Sequence, residues 1–259
     1  MILNLYKHRG YIWRTAISEV RNRYAGAGLG VVWNFIQPLA LIGIFTIVFT
    51  GIMPGRGQGM PVAYPVYLCA ALLPWFAFSD CLQRCTNAFV ANAAYLRKLP
   101  IPEQVFVAQA ALSSAINLAI SFTLLLVFAL ALRHWPTWHW LLIPVPLALL
   151  IAFAFGVGMV LGTLNAFIRD IGQAVPILVG IGFWTYPVVY HKDHLPQWAQ
   201  AALPWNPVYP FLEALRELFI YDRMPPLWLW PAMLAWTAAA GLLGYLVLRR
   251  LRRELRDVI

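Results

Sequence analysis

The stretch WLLIPVPLALLIAFAFGVGMVLGTL, residues 140–164, contains no charged residue. An α-helix rises 1.5 Å per residue and the hydrocarbon core of a bilayer is about 30 Å thick, so about 20 apolar residues cross it. This run is longer than that. Working outward, further runs nearly free of charge occupy 31–53, 64–86, 105–132, 174–190 and 228–248. They are too long and too numerous to be buried core helices, and together they predict six membrane spans. The composition agrees: 61% of the 259 residues are hydrophobic and 11% are charged, whereas a soluble domain carries about a quarter charged residues. The fold class expected is an all-α polytopic membrane protein, a single transmembrane domain over 1–259 with its spans within 31–248.

Charge gives the orientation. With both termini inside, the inner face holds Lys7, Arg9, Arg14, Arg21, Arg23, Arg97, Lys98, Arg169, Arg249, Arg250, Arg252, Arg253 and Arg256, and the outer face only Arg56, Arg133, Lys192, Arg216 and Arg223. That asymmetry predicts cytoplasmic termini. The net charge of +9 is then mostly topology and attraction to anionic lipid heads. Division of the charges among short loops argues against nucleic acid as a partner. Lys7, His8 and Arg9 occupy the place of a signal peptide's apolar region, so Met1 is expected to open the mature chain.

Two segments are neither span nor simple loop. In 2–22, Ile2, Leu5, Tyr6, Ile12, Trp13, Ala16, Ile17 and Val20 recur at helical spacing, with Lys7, Arg9, Arg14 and Glu19 around the rest of the circumference. This predicts an amphipathic helix at the inner interface, either an anchor or a docking collar. Region 191–227 is too long for a hairpin. Within it, Phe211, Leu212, Leu215, Leu218 and Phe219 form one stripe, with Glu213, Arg216 and Glu217 expected to face away. Such a helix either rests on the outer surface or dips back as a gate.

Catalytic groups are scarce. Asp80 is the one acidic residue inside a span, and Arg84 four positions later offers it an ion pair on the same helix face. No second intramembrane acid accompanies it, which argues against a proton relay. Cys69, Cys81 and Cys85 lie in one apolar segment and suit packing better than a disulfide or zinc. His191 and His194 flank Asp193 without a third ligand at a diagnostic spacing, so no metal site is expected. No GxxxxGK[ST] stretch occurs, so the chain binds no nucleotide through a P-loop. Aromatic side chains are abundant at membrane depth: Trp33, Phe76, Phe183, Trp184, Tyr186 and Tyr190 are candidates to line a path. Rings in such a path suit the C–H faces of sugars, although interfacial belts also use Trp and Tyr.

RNRYAGAGLGVVWNFIQPL, LLPWFAFSD, LRKLPIP, GTLNAFIRDIGQ, WTYPVVY and WNPVYPFLEALRE follow one another in this order. The ordered set resembles the permease subunits of bacterial ABC exporters for surface polysaccharides such as O-antigen, capsule and teichoic acid. The resemblance runs from about residue 15 to the tail. It implies a homodimer in the inner membrane carrying two copies of a separate cytoplasmic ABC ATPase. ATP and Mg would reside on that partner, with no cofactor in this chain. In this likeness the loop 92–104 is a coupling element held by the ATPase through Tyr95, Leu96, Arg97, Lys98, Leu99, Pro100, Ile101 and Pro102, with Arg169 and Asp170 as a second contact. Phe211, Leu215, Leu218 and Phe219 belong to the outer gate, and Arg21 and Arg23 are candidates for meeting the phosphate of a lipid-linked polysaccharide. The same two arginines equally serve as positive-inside anchors. A periplasmic export or co-polymerase protein is a further partner the resemblance implies. Three rivals stay open: a drug- or lipid-exporting ABC permease, a secondary transporter, and a membrane glycosyltransferase using Glu103 or Asp170. For the last two, internal repeats, intramembrane ion sites and a companion acid are all missing from the sequence.

Overall fold

Helix α4, Tyr64–Ala91, is the post around which the chain is built. It lies in a computed structural model that describes residues 2–23, 28–48, 62–98, 100–188 and 195–258. Leu99, Tyr190 and the turn with His191, Asp193 and His194 lie outside the described residues. Pro65 opens α4 in the first turn, where a missing N–H costs nothing. From Tyr64 to Trp75 every residue of the helix is buried, so α4 presents no lipid-facing stripe there and must be covered on all sides.

Against it stand α6 (Gln104–Ala131) and α7 (Pro144–Phe167), and α11 (Leu229–Val258) packs against α7. These three and α4 are long and apolar enough to cross a membrane, so four candidate spans are present among the described residues. Small residues let them approach. A methyl group on Gly162 of α7 would lie 2.7 Å from the Cys85 carbonyl oxygen of α4, and one on Gly244 of α11 would lie 2.7 Å from the Gly156 carbonyl oxygen of α7. In lipid, where apolar burial gives helices little reason to associate, such backbone contact is what holds them together. Cys69, Cys81 and Cys85 are free thiols buried in this core.

The two remaining apolar runs form shorter helices: α3 (Trp33–Thr46) and α8 (Asp170–Thr185). Each carries an internal proline, Pro38 and Pro176. Both lean on the central post through narrow stripes. In α8, Val175 and Val179 are buried while Ile177, Leu178, Ile181 and Trp184 are exposed. The amphipathic start is two helices rather than one, α1 (Ile2–Lys7) and α2 (Arg9–Asn22), interrupted at His8. Along α2, Ile12, Ala16 and Val20 are buried, a stripe at i, i+4, i+8. Tyr6 and Trp13 of the expected stripe are exposed. Short helices α5 (Ala93–Lys98), α9 (Gln197–Ala202) and α10 (Tyr209–Phe219) complete the described elements, with no strand among them.

The molecule therefore has two ends. One carries α2, α5, the 168–169 turn and the tail of α11. The other carries α9, α10 and the 132–142 connection.

Candidate functional site

At the terminus-bearing end, α4 supplies Asp80 and Arg84 one helical turn apart, and Arg84 Nε donates to Asp80 Oδ1 at 3.1 Å, the pair expected from their spacing. The structure adds partners that spacing could not give. Arg23, just past α2, also pairs with Asp80, and Arg84 pairs with Glu19 of α2. Ser114 Oγ of α6 donates to Asp80 Oδ2 at 2.7 Å. Two guanidinium groups thus face two carboxylates in a balanced ladder that ties α2 and α6 to α4. Arg21, two residues earlier on α2, is exposed.

The ladder separates two cavities. One of about 340 Å³ lies between α3, α4 and α6, lined by Asn34, Gln37, Phe76, Asp80, Asn117 and Ser121 among others. The other, of about 500 Å³, opens under α2 beside Tyr11, Glu19, Arg84, Tyr95 and Gln109. Arg23 lines both.

Beside the ladder, α5 exposes Tyr95, Arg97 and Lys98 and buries Leu96. Pro100 is exposed, and Ile101 and Pro102 are half-buried. Glu103 is fully buried, and Arg252 Nε of the α11 tail stands 2.8 Å from its Oε2. The loop is thus anchored at both ends, by Leu96 inside the fold and by Glu103 against the tail. On the same end, Arg169 and Asp170 are exposed in the turn between α7 and α8. Asn165 closes that turn: its Oδ1 accepts from the Gly172 N–H at 2.8 Å, and its Nδ2 donates to the Thr86 carbonyl of α4 at 3.1 Å. Sequence reasoning passed over Glu19, Ser114, Asn117 and Asn165. Their shared signal is a polar side chain in or beside an otherwise apolar helix, where an unpaired group is costly.

The opposite end is closed by α10. Its apolar stripe is buried as expected, with Phe211, Leu215, Leu218 and Phe219 at 0% exposure. Glu213, Arg216 and Glu217 do not face away, however: they are 6%, 3% and 2% exposed. The cause is that α10 is surrounded rather than resting on a surface. Arg216 Nη2 donates to the carbonyls of Pro187 and Val188 at 2.6 and 3.0 Å. Its guanidinium lies 4.5 Å from the ring centre of Tyr67 and 5.0 Å from that of Tyr186. Glu217 pairs with Arg223. Phe219 packs against Phe122 and Trp140, and its carbonyl accepts from His134 Nε2 at 2.6 Å.

The aromatic candidates separate accordingly. Trp33 and Trp184 are exposed on α3 and α8. Phe76 borders the α3/α4/α6 cavity. Phe183 is half-buried edge-on to Trp75, with ring centres 6.0 Å apart. Tyr186 is fully buried beneath Arg216.

Known proteins match over most of their length and most of this chain. An O-antigen export system permease protein of Myxococcus xanthus is 27% identical over 227 residues, 87% of this chain and 86% of that protein. One of Klebsiella pneumoniae is 24% identical over 225 residues, 85% of each. A polysialic acid transport protein of Escherichia coli is 26% identical over 206 residues, 78% of each. Residues 11–220, which run from α2 past the end of α10, match the family described as ABC-2 type transporter, and the chain is a member of that membrane transporter family.

Proposed function

We propose that this chain is the membrane-spanning subunit of an ATP-driven exporter that moves a lipid-linked polysaccharide across the bacterial inner membrane. The observation that carries the proposal is the match, over 87% and 78% of the chain, to an O-antigen export permease and a polysialic acid transport protein. In this reading α3 and α8 are spans one and five. At 14 and 16 residues they reach roughly 21 and 24 Å, and the helical turn Gly30–Val32 lengthens the first. The terminus-bearing end is cytoplasmic, in keeping with its excess of Lys and Arg.

A homodimer carries two ATPase subunits, which hold the ATP and Mg. They grip Tyr95, Arg97 and Lys98, with Leu96, Leu99, Pro100, Ile101 and Pro102 shaping the loop and Arg169 and Asp170 as the smaller contact. Closure of the ATPases pushes on α5. Glu103 with Arg252, and the ladder of Glu19, Arg84, Asp80 and Arg23, carry the push to the tail and to α2 and α6. The exposed rings of Trp33 on α3 and Trp184 on α8, with the half-buried Phe183, conduct the sugar chain. Tyr186, held under Arg216, positions α10, which acts as a re-entrant gate at the outer end. Arg21 keeps an exposed charge for the carrier phosphate, whereas Arg23 is already committed to Asp80. A periplasmic protein receives the polymer.

The test is deletion of the gene, followed by measurement of surface glycan and of lipid-linked glycan inside the cell. Loss from the surface with accumulation inside is expected. A full coat of surface polymer in the deletion strain overturns the proposal. In parallel, the purified chain is expected to bring down an ABC ATPase.

A further inference from the structure

The cavity between α3, α4 and α6 is walled by chemistry foreign to a lipid-facing groove. Asn34 and Gln37 of α3 and Ser114, Asn117 and Ser121 of α6 contribute amides and hydroxyls, and Phe76 and Pro38 contribute apolar faces. Asn117 is the telling residue: both its amide oxygen and its amide nitrogen are buried without a hydrogen-bond partner. It stands on α6, near the middle of a helix long enough to span the bilayer. An amide there, with neither donor nor acceptor used, gains from a ligand that offers both.

The charges narrow the ligand. Arg23 and Asp80 are the charged residues of the lining, and they are paired with each other. Asp80 is further held by Arg84 and Ser114. An anion would meet the Asp80 carboxylate, and a cation would meet Arg23. An alkyl chain would leave the Asn117 amide without a partner. A neutral ring bearing many hydroxyls satisfies each wall: hydroxyls reach the amides and serines, and a C–H face lies on Phe76, whose ring is 45% exposed. The volume of about 340 Å³ falls within the usual range of small-molecule sites, about 300–1,000 Å³. The groove beneath α2 shares Arg23 with this cavity, so the ion ladder stands where a polar group would pass between them.

We propose that this cavity is an intramembrane subsite for an uncharged pyranose ring, the saccharide of the exported chain closest to its lipid. The proposal rests on the export reading for the identity of the sugar's bearer. The site's preference for sugar is tested without that reading.

Leu41 lines the cavity without contributing a polar group, so Leu41→Cys installs a reporter thiol; the native cysteines are buried. Alkylation of that thiol by N-ethylmaleimide is followed in phosphatidylcholine nanodiscs, with octyl β-D-glucoside, octyl phosphate or octyltrimethylammonium added below its micellar concentration. The glucoside is expected to slow alkylation about fivefold, as for a ligand several times above its Kd, with the other two amphiphiles ineffective. Asn117→Leu is expected to abolish the protection. Gln37→Leu, at an exposed position on α3, provides a second variant that does not disturb the core. Equal protection by all three amphiphiles, protection by octyl phosphate alone, or no protection overturns the proposal. So does full export by both variants once their glucoside protection is lost, because the sugar would then not belong to the cargo. Failure of the export reading shows separately, as intact surface glycan in the deletion strain while glucoside protection persists.

Discussion

Replacing Arg216 by methionine removes the charge that α10 carries into the apolar end of the bundle. The guanidinium joins α10 to the carbonyls of Pro187 and Val188, at 2.6 and 3.0 Å, and lies over the rings of Tyr67 and Tyr186. Each hydrogen bond from a charged donor contributes about 1.5–3 kcal/mol, and its loss leaves a buried carbonyl unpaired. The two ring contacts add about 0.5–2 kcal/mol each. Against this, methionine spares the burial of a charge, which offsets several kcal/mol. A net loss of about 2–4 kcal/mol follows, because methionine fills the space but restores neither carbonyl bond. For a chain of this size, 1 kcal/mol moves Tm by about 2–4 °C, so Tm should fall by roughly 5–15 °C. The assay is thermal unfolding in detergent, paired with hydrogen exchange of the 186–188 and 209–219 segments. Exchange should rise in both segments together, since one side chain holds them to each other. Arg216→Lys should fall between methionine and wild type: a single ammonium keeps the charge but cannot serve two carbonyls and two ring faces as a planar fork does. Unchanged Tm and unchanged exchange in Arg216→Met would refute the reasoning and reduce α10 to a helix held by its apolar stripe alone.

Three further outcomes follow from the same geometry. The double variant Arg97→Glu, Lys98→Glu should insert normally yet lower surface glycan by about tenfold or more, since like charges placed at a contact repel; undiminished export removes α5 from the coupling role. Gly162→Leu should destabilise the chain by about 1–3 kcal/mol through overpacking against the Cys85 carbonyl, whereas Gly10→Ala, whose added methyl meets no atom within 4 Å, should leave Tm unchanged; equal effects of the two would show that the α4–α7 approach is not tight. In a double-mutant cycle of Glu103→Gln with Arg252→Gln, coupling of about 0.5–3 kcal/mol is expected in denaturation, and effects that add to within about 0.3 kcal/mol mean that the tail does not brace the loop.

How far the site was legible depended on how local each interaction is. The pair of Asp80 with Arg84 was readable because residues four apart share a helix face. Arg23 and Glu19 are 57 and 65 residues from their partners, and helical spacing says nothing at that separation. The stripe of Phe211, Leu215, Leu218 and Phe219 was readable from its period. That Glu213, Arg216 and Glu217 are buried was not, because a polar face opposite an apolar one is the pattern of a surface helix. Only their partners, Arg223 for Glu217 and two carbonyls with two rings for Arg216, make their burial tolerable. A continuous stripe over 2–22 likewise concealed the interruption at His8.

By itself the sequence determined the class of molecule. Long uncharged runs can be satisfied only as helices in lipid, which must bond their own backbone internally, and the placement of Lys and Arg predicts which end is the inner face. It also placed 95–98 and 169–170 outside the spans, since charge does not stay in hydrocarbon, although 95–98 form helix α5 rather than a loop. Tertiary structure alone decided which helix is central and which polar groups meet. Glycines set the close approaches: Gly158 and Gly162 of α7 meet Cys85 of α4, and Gly156 of α7 meets α11. The polar cavity arises because Asn34, Asn117 and Asp80, on three separate helices, are brought to one wall. Periodicity fixes a side chain's direction on its own helix, but its surroundings are set by the neighbours that pack against it.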